Sequence, residues 1–148
     1  MAFYLLKQKL NNSYLKLSLI VALLGIIAGM LILPGNLTVP GHYHGMTGAF
    51  NLAFFAILFT LTPVQKSYQT LLTKLYGTGL VLLIVGLTWA GRAGIGRKLV
   101  AEQQGVLNFS QSMALLMIVI GAGLAIIISL LIIKSFFPKL NNLFKIKQ

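Results

Sequence analysis

The chain contains two histidines, His42 and His44, which stand two residues apart in the segment Gly41-His42-Tyr43-His44-Gly45. Neutral imidazole is a common ligand of metal ions. An α-helix turns by about 100° per residue, so side chains at this spacing leave the helix roughly 200° apart. If the segment is helical, the two imidazoles therefore serve two separate sites on opposite faces of one helix.

Little other ligand or catalytic chemistry is available to the chain. It has no cysteine, and Glu102 is its one carboxylate side chain. Thiolate ligation, calcium binding by carboxylates, catalysis by a carboxylate pair and a carboxylate proton relay are therefore not expected of a single copy.

The composition places the chain in a membrane. Hydrophobic residues make up 57% of its 148 residues, charged residues make up 9%, and the mean hydropathy is +0.90. A soluble domain of this size could not bury so much apolar surface. Four stretches approach the ~20 residues that a helix needs to cross a bilayer. They lie at about residues 14–33, 42–61, 71–90 and 112–133.

These stretches predict one all-α domain over residues 1–148, an integral membrane four-helix bundle. A membrane β-barrel needs alternating apolar and polar residues, and runs such as residues 19–24 do not alternate. The first stretch has basic residues before it, as a signal peptide has, but no Ala-x-Ala-like cleavage site follows its long apolar run. A retained anchor is therefore favoured over a cleaved signal peptide.

The net charge of +11 is distributed unevenly between the two ends of the predicted spans. Arg92, Arg97 and Lys98 fall on one side, and the other nine basic residues fall on the opposite side: Lys7, Lys9, Lys16, Lys66, Lys74, Lys134, Lys139, Lys145 and Lys147. The positive-inside rule then predicts cytoplasmic termini and a multi-pass protein of the inner (cytoplasmic) membrane. The lipid bilayer, with anionic headgroups near the terminal lysines, is the expected partner of these charges, and nucleic acid is not.

This topology brings the two histidines and the three outer cations to the same end of the molecule. Pro40 is tolerated in a first helical turn, with Thr38 as a possible N-cap. The positive end of the helix dipole disfavours imidazolium there and leaves the neutral form that binds metal. The alternative to a ligand site is that the histidines lie at the membrane interface and bond to water or to loop carbonyls. The basic residues would then belong to an ordinary solvated loop. Gly41, Gly45 and Gly48 favour a ligand site, because they are expected to leave room for a flat, bulky group.

Small and polar residues within the spans predict close helix packing. Gly25/Gly29, Gly41/Gly45 and Gly121/Ala125 have the four-residue spacing that lets helices approach closely in lipid. Asn51 is costly in lipid, so it is expected to make an interhelical hydrogen bond or to face a cofactor pocket, the hydrogen bond being favoured. Tyrosines such as Tyr43 and Tyr76 are expected to be interfacial or packing residues.

The segment Val-Pro-Gly-His-Tyr-His-Gly at residues 39–45 resembles the His-aromatic-His motif in helix ten of the catalytic subunit of heme-copper oxidases. Downstream, residues 86–91 and the segment Ile95-Gly96-Arg97-Lys98 resemble that family's end of helix eleven and its basic pair, although a Pro-Arg-Arg pattern has become Gly-Arg-Lys. The resemblance covers most of this chain. It aligns the four predicted spans with helices nine to twelve, one third of the twelve-helix ring.

The resemblance implies roles for five residues. His42 takes the place of the proximal ligand of the high-spin heme, and His44 takes the place of one axial ligand of the low-spin heme. Arg97 and Lys98, with Arg92 as a helper, take the place of the residues that neutralise heme propionates near the outer surface. The implied cofactor is heme, expected to be b-type, with iron bound by His42 and His44.

Part of the family's ligand set is missing from this chain. The copper ligands and the second low-spin-heme histidine come from earlier helices of the family, and the chain has no histidine besides its pair. No copper is expected, and the chain is not an oxidase on its own. Self-association can complete a heme site, because each site can take His42 from one copy and His44 from its neighbour. A homotrimer is favoured, since three copies would rebuild the twelve-helix ring, and a homodimer is the weaker version.

The expected function is therefore membrane heme binding, for electron transfer or for heme or gas binding. Alternatively, the chain is one subunit of a split heme-copper oxidase, in which other oxidase-like subunits supply the remaining ligands. A function of another class, a small four-span transporter, is less favoured because no span carries the carboxylate that such transporters use. A cofactor-free accessory subunit is the remaining alternative.

Overall fold

The computed structural model describes residues 12–61, 65–97 and 106–145. These ranges contain four helices: α1 (Asn12–Met30), α2 (Thr38–Leu61), α3 (Lys66–Arg92) and α4 (Phe109–Lys145). Within them the chain forms no β-strand beyond one isolated bridge between Asn36 and Gly96. The all-α prediction and the number of helices are confirmed for this part of the chain.

Two helical stretches of the described residues are long and apolar enough to cross a membrane. They are α3, with 27 residues, and the part of α4 from Phe109 to Ser135. The apolar part of α1, Tyr14–Met30, is shorter. α2 includes the polar side chains of His42, His44 and Asn51. The helices also extend beyond the predicted spans, because α2 begins at Thr38 and α4 continues to Lys145.

α3 is the central helix of the arrangement. α1 packs against α2 and less extensively against α3, α2 packs against α3, and α4 packs chiefly against α3. Gly79 and Gly86 of α3 face α4, whereas Leu80 and Ile84 face α2. The core between the helices is apolar, and its completely buried large side chains are those of Val21, Leu52, Leu72, Ile84 and Ile132. α2 and α4 therefore pack against different faces of α3.

Glycines form the closest helix contacts, as the small-residue spacing predicts. Gly25 of α1 lies directly against Gly45 of α2. A Cβ atom at Gly121 of α4 would lie 2.7 Å from the backbone oxygen of Gly79 in α3. One expectation about glycines is wrong: Gly41, Gly45 and Gly48 leave no room for a flat group within the chain, because Thr88, Gly25 and Leu80 respectively occupy the space beside them.

The α1–α2 loop and the turn after α3 are joined by backbone hydrogen bonds, an arrangement that we call the outer clasp (residues 35–37 and 95–97). The N–H of Leu37 donates to the Ile95 carbonyl at 3.3 Å, and the N–H of Arg97 donates to the Gly35 carbonyl at 2.7 Å. Gly35 and Gly94 adopt positive φ angles of 79° and 86°, which suit glycine. The clasp holds the turn after α3 beside the beginning of α2.

Asn36 orders the beginning of α2. Its Oδ1 accepts a hydrogen bond from the N–H of Thr38 at 3.0 Å, and its Nδ2 donates to the Gly91 carbonyl at 3.1 Å. The hydroxyl of Thr38 instead accepts from the N–H of Leu33 at 2.9 Å. The expected N-cap role of Thr38 is therefore wrong, because α2 begins at Thr38 itself and the capping oxygen comes from Asn36.

Candidate functional site

His42 is half-buried where α2 crosses α1. Its Nδ1 atom lies 2.9 Å from the carbonyl oxygen of Gly25 in the neighbouring helix, α1. The close contact of Gly25 with Gly45 brings the two helices near enough for this bond. Gly29 also makes room for the ring, because a Cβ atom at position 29 would lie 2.8 Å from His42 Nδ1. The sequence of α1 thus provides both the hydrogen-bond acceptor and the space for the imidazole.

This hydrogen bond determines which ring nitrogen of His42 can bind a metal. A carbonyl oxygen only accepts, so Nδ1 carries the proton and donates it. In the neutral ring, the lone pair then lies on Nε2. The described residues give Nε2 no hydrogen-bond partner. Metal-binding histidines commonly donate their other N–H to a carbonyl in this way, which fixes the ring and makes the ligating nitrogen more basic.

His44 lies in a different environment. It is exposed, and it lines an apolar groove of about 300 Å³ that we call the α2/α4 groove. The other lining residues come from α3 and α4: Tyr76, Leu80, Leu83, Ala122, Ala125, Ile126, Ser129 and Leu130. Within the described ranges, His44 makes no hydrogen bond of its own. Its ring is therefore free to bind a group that enters this groove.

The two histidines face different neighbours, as their spacing predicts. His42 contacts α1, whereas His44 faces the groove bounded by α3 and α4. One copy of the chain therefore does not bring both rings to one metal ion. The described residues also contain no cluster of three or more His, Cys, Asp or Glu side chains that could hold a metal by itself.

Of the three basic residues that were predicted to bind heme propionates, Arg92, Arg97 and Lys98, the structure places Arg92 and Arg97 in different surroundings. Arg97 is exposed, and its backbone belongs to the outer clasp near the beginning of α2. Arg92 is also exposed, but it lines a second groove, between α1 and α3, that neither histidine lines. Lys98 lies outside the described residues. Arg97 thus lies in the clasp beside the beginning of α2, whereas Arg92 lines the groove between α1 and α3.

The interhelical hydrogen bond predicted for Asn51 and the packing role predicted for Tyr76 are confirmed. Asn51 makes the expected interhelical hydrogen bond, donating from Nδ2 to the hydroxyl of Tyr76 at 3.3 Å. Tyr76 is a packing residue, 4% exposed, whose ring contacts Phe55 edge to face. Tyr43 is 59% exposed on the outer surface of α2.

Sequence reasoning missed the main partner of His42, the Gly25 carbonyl. A backbone oxygen has no sequence signature of its own. The available signal was indirect: Gly25 and Gly29 are spaced for close helix approach, and His42 belongs to the next predicted span. Comparison with protein-family models, with curated proteins and with solved structures found no match to this chain.

Proposed function

We propose that this protein is a multi-pass protein of the inner (cytoplasmic) membrane, with cytoplasmic termini, that binds heme between copies of itself. His42 of one copy and His44 of its neighbour are the proposed iron ligands. The proposal extends the resemblance of residues 39–45 and 95–98 to the heme-copper oxidase catalytic subunit. The heme is expected to be b-type, and the sites lie toward the outer side of the membrane.

The observation that carries the proposal is the hydrogen bond from His42 Nδ1 to the Gly25 carbonyl. It leaves Nε2 with a lone pair and without a partner among the described residues. A histidine that served only packing would not need a fixed tautomer, whereas an iron ligand gains from one. The donor set also suits heme, because imidazole is a common axial ligand of heme iron.

The α2/α4 groove provides the second half of the argument. It is apolar, it is open to the outside, and it has an imidazole in its wall. Its volume of about 300 Å³ is at the lower end of the range for ligand sites, so a group of heme size would also extend beyond one copy. A partner copy that covers the groove could then contribute its own His42.

Self-association is proposed because of the number and placement of the ligands. Each copy has two histidines that face different sides of α2. In a cyclic assembly every interface can receive His42 from one copy and His44 from the next, so no histidine is left unused. A homotrimer is favoured because three four-helix chains would form a twelve-helix ring like that of the family.

The chain's residues have distinct tasks in this proposal. His42, held by Gly25, is the fixed ligand, and His44 completes the coordination from a neighbouring copy. Arg97 and Lys98 provide positive charge for the propionates near the outer surface. Bound heme would supply the iron for one-electron transfer or for binding a diatomic gas.

The test is an absorption spectrum of the purified protein, together with the mass of the complex in detergent. A low-spin, six-coordinate heme spectrum and a trimer mass are expected. His42→Ala and His44→Ala should each abolish six-coordination. Tyr43→Phe is the matched control, because it keeps the aromatic ring beside His42 and removes only the hydroxyl of an exposed residue. A heme-free protein, or a spectrum that neither histidine variant changes, would refute the proposal.

The mass also distinguishes the assemblies. A subunit of a split oxidase would be recovered with other polypeptides, and its heme would be lost when they were removed. A monomer that holds one six-coordinate heme per chain would contradict ligand sharing between copies. A heme-free transporter or accessory subunit would show no heme absorption band.

A further inference from the structure

Arg92 lies at one end of a groove that the proposed heme sites do not use. This groove, which we call the α1/α3 groove, has a volume of about 310 Å³. Leu24 and Ile27 of α1 form one wall, and Ile84 and Val85 of α3 form the other. It is almost entirely apolar except at the end of α3, where Arg92 is exposed. The groove is therefore shaped and lined like a site for an amphiphile with a single polar end.

The length and openness of the groove suit an acyl chain. Eight residues separate Ile84 from Arg92, a rise of about 12 Å along a helix. This is less than half of the ~30 Å hydrocarbon core of a bilayer, so the groove would lie within one leaflet. Ile27 and Val85 are partly exposed, at 44% and 37%, so the groove opens sideways. A lipid chain could enter it directly from the surrounding leaflet.

The charge at the end of the groove indicates an anionic head group. Arg92 has no ion-pair partner in the ranges that the structure describes, and the single carboxylate side chain of the whole sequence is that of Glu102. Trp89 also lines this end, but its indole N–H already donates to the hydroxyl of Ser110 at 2.9 Å. The guanidinium of Arg92 therefore supplies the available donors, and its geometry suits a phosphate group.

We propose that the α1/α3 groove binds one acyl chain of an anionic phospholipid, with the lipid phosphate held by Arg92. Trp89, beside Arg92, is the kind of residue that lies at the level of the head groups. The site requires the membrane setting of the proposed function but does not depend on heme. It also gives a role to Arg92, which does not line the groove of His44.

The test uses the full-length protein purified in detergent and incubated with an equal mixture of phosphatidylglycerol and phosphatidylcholine. Bound lipid is measured by native mass spectrometry. The wild-type protein should retain phosphatidylglycerol in preference to phosphatidylcholine. Arg92→Gln should reduce that preference about fivefold, because charge-assisted hydrogen bonds to the phosphate are lost.

Lys74→Gln is the matched control, since it removes one positive charge from an exposed residue of the same helix, α3, outside the groove. It should keep the wild-type preference. Val85→Trp, which fills the groove and retains Arg92, should reduce binding of both lipids. Equal effects of Arg92→Gln and Lys74→Gln, no preference in the wild type, or recovery of a free fatty acid in place of phospholipid would each overturn the proposal.

Discussion

Two inactive variants should restore heme binding when they are made in the same cell. His42→Ala removes the proposed ligand that α1 holds, and His44→Ala removes the proposed ligand in the α2/α4 groove. Each variant alone leaves every shared site with one imidazole. When the two are produced together, some interfaces pair an intact His42 with an intact His44. Complementation is expected because the two rings leave opposite sides of α2 and cannot reach one iron from the same copy.

The amount of recovery follows from the geometry. An interface is complete only when the copy giving His42 is the His44→Ala variant and its neighbour is the His42→Ala variant. With equal and random mixing, about one quarter of the sites meet this condition in any cyclic assembly. About half of the sites retain one histidine, and about one quarter retain none. The six-coordinate signal should therefore rise from near zero to about 25% of the wild-type value.

The assay is the low-spin heme absorption of complexes purified through two different affinity tags, one on each variant. Selection by both tags removes assemblies made of a single variant and raises the fraction of complete sites. The control replaces the His44→Ala partner with a chain that lacks both histidines, which provides the same number of copies but no His42. That mixture should give no six-coordinate heme.

Two results would refute the reasoning. If His44→Ala alone retained a six-coordinate spectrum, two His42 rings, or His42 and another group, would be the ligands. If the two variants bound no more six-coordinate heme together than separately, although the tags showed that they co-assemble, His42 and His44 would not share a site. Without tag selection a dimer and a trimer predict the same recovery, whereas after selection by both tags about one half of the sites are complete in a dimer and about one third in a trimer.

Two further predictions concern stability, measured by thermal unfolding in detergent. Gly45→Ala should destabilise the protein by about 1–3 kcal/mol, because a Cβ atom there would collide with Gly25. Gly123→Ala is the control, since its added Cβ would have no atom within 4 Å, and it should change stability by less than about 1 kcal/mol. Equal losses in the two variants would contradict the argument that Gly45 is needed for the helix contact. Thr88→Val should leave stability unchanged or raise it by up to about 1 kcal/mol, because the buried Thr88 hydroxyl has no hydrogen-bond partner among the described residues. A clear loss at Thr88 would show that this hydroxyl has a partner.

The helices and the opposite placement of the two histidines could be predicted from local properties of the sequence. Long apolar runs indicate helices, and a spacing of two residues fixes the angle between two side chains on a helix. The interhelical hydrogen bond of Asn51 was also predictable, since an amide in an apolar span needs a partner. None of these inferences requires knowledge of how the helices cross.

The features of the site that could not be predicted depend on how the helices cross one another. The acceptor for His42 is a backbone oxygen whose position is set by the contact of Gly25 with Gly45. From the sequence alone, the glycines beside the histidines suggest free space next to α2. In the fold, neighbouring helices occupy that space. Arg92 is close in sequence to Arg97, yet its position on α3 places it in the α1/α3 groove, which Arg97 does not line. Each of these results is a property of two helices together.

The outer clasp has a consequence for how freely its sequence can vary. Its two joining hydrogen bonds, at Leu37 and Arg97, are made by backbone atoms, so nearly any side chain is compatible with them. The residue type is strongly restricted at positions 35 and 94, because the positive φ angles of Gly35 and Gly94 disfavour other residues. Distant relatives could therefore keep this end of the molecule with glycines at these two positions, an asparagine at the position of Asn36 and little other sequence identity.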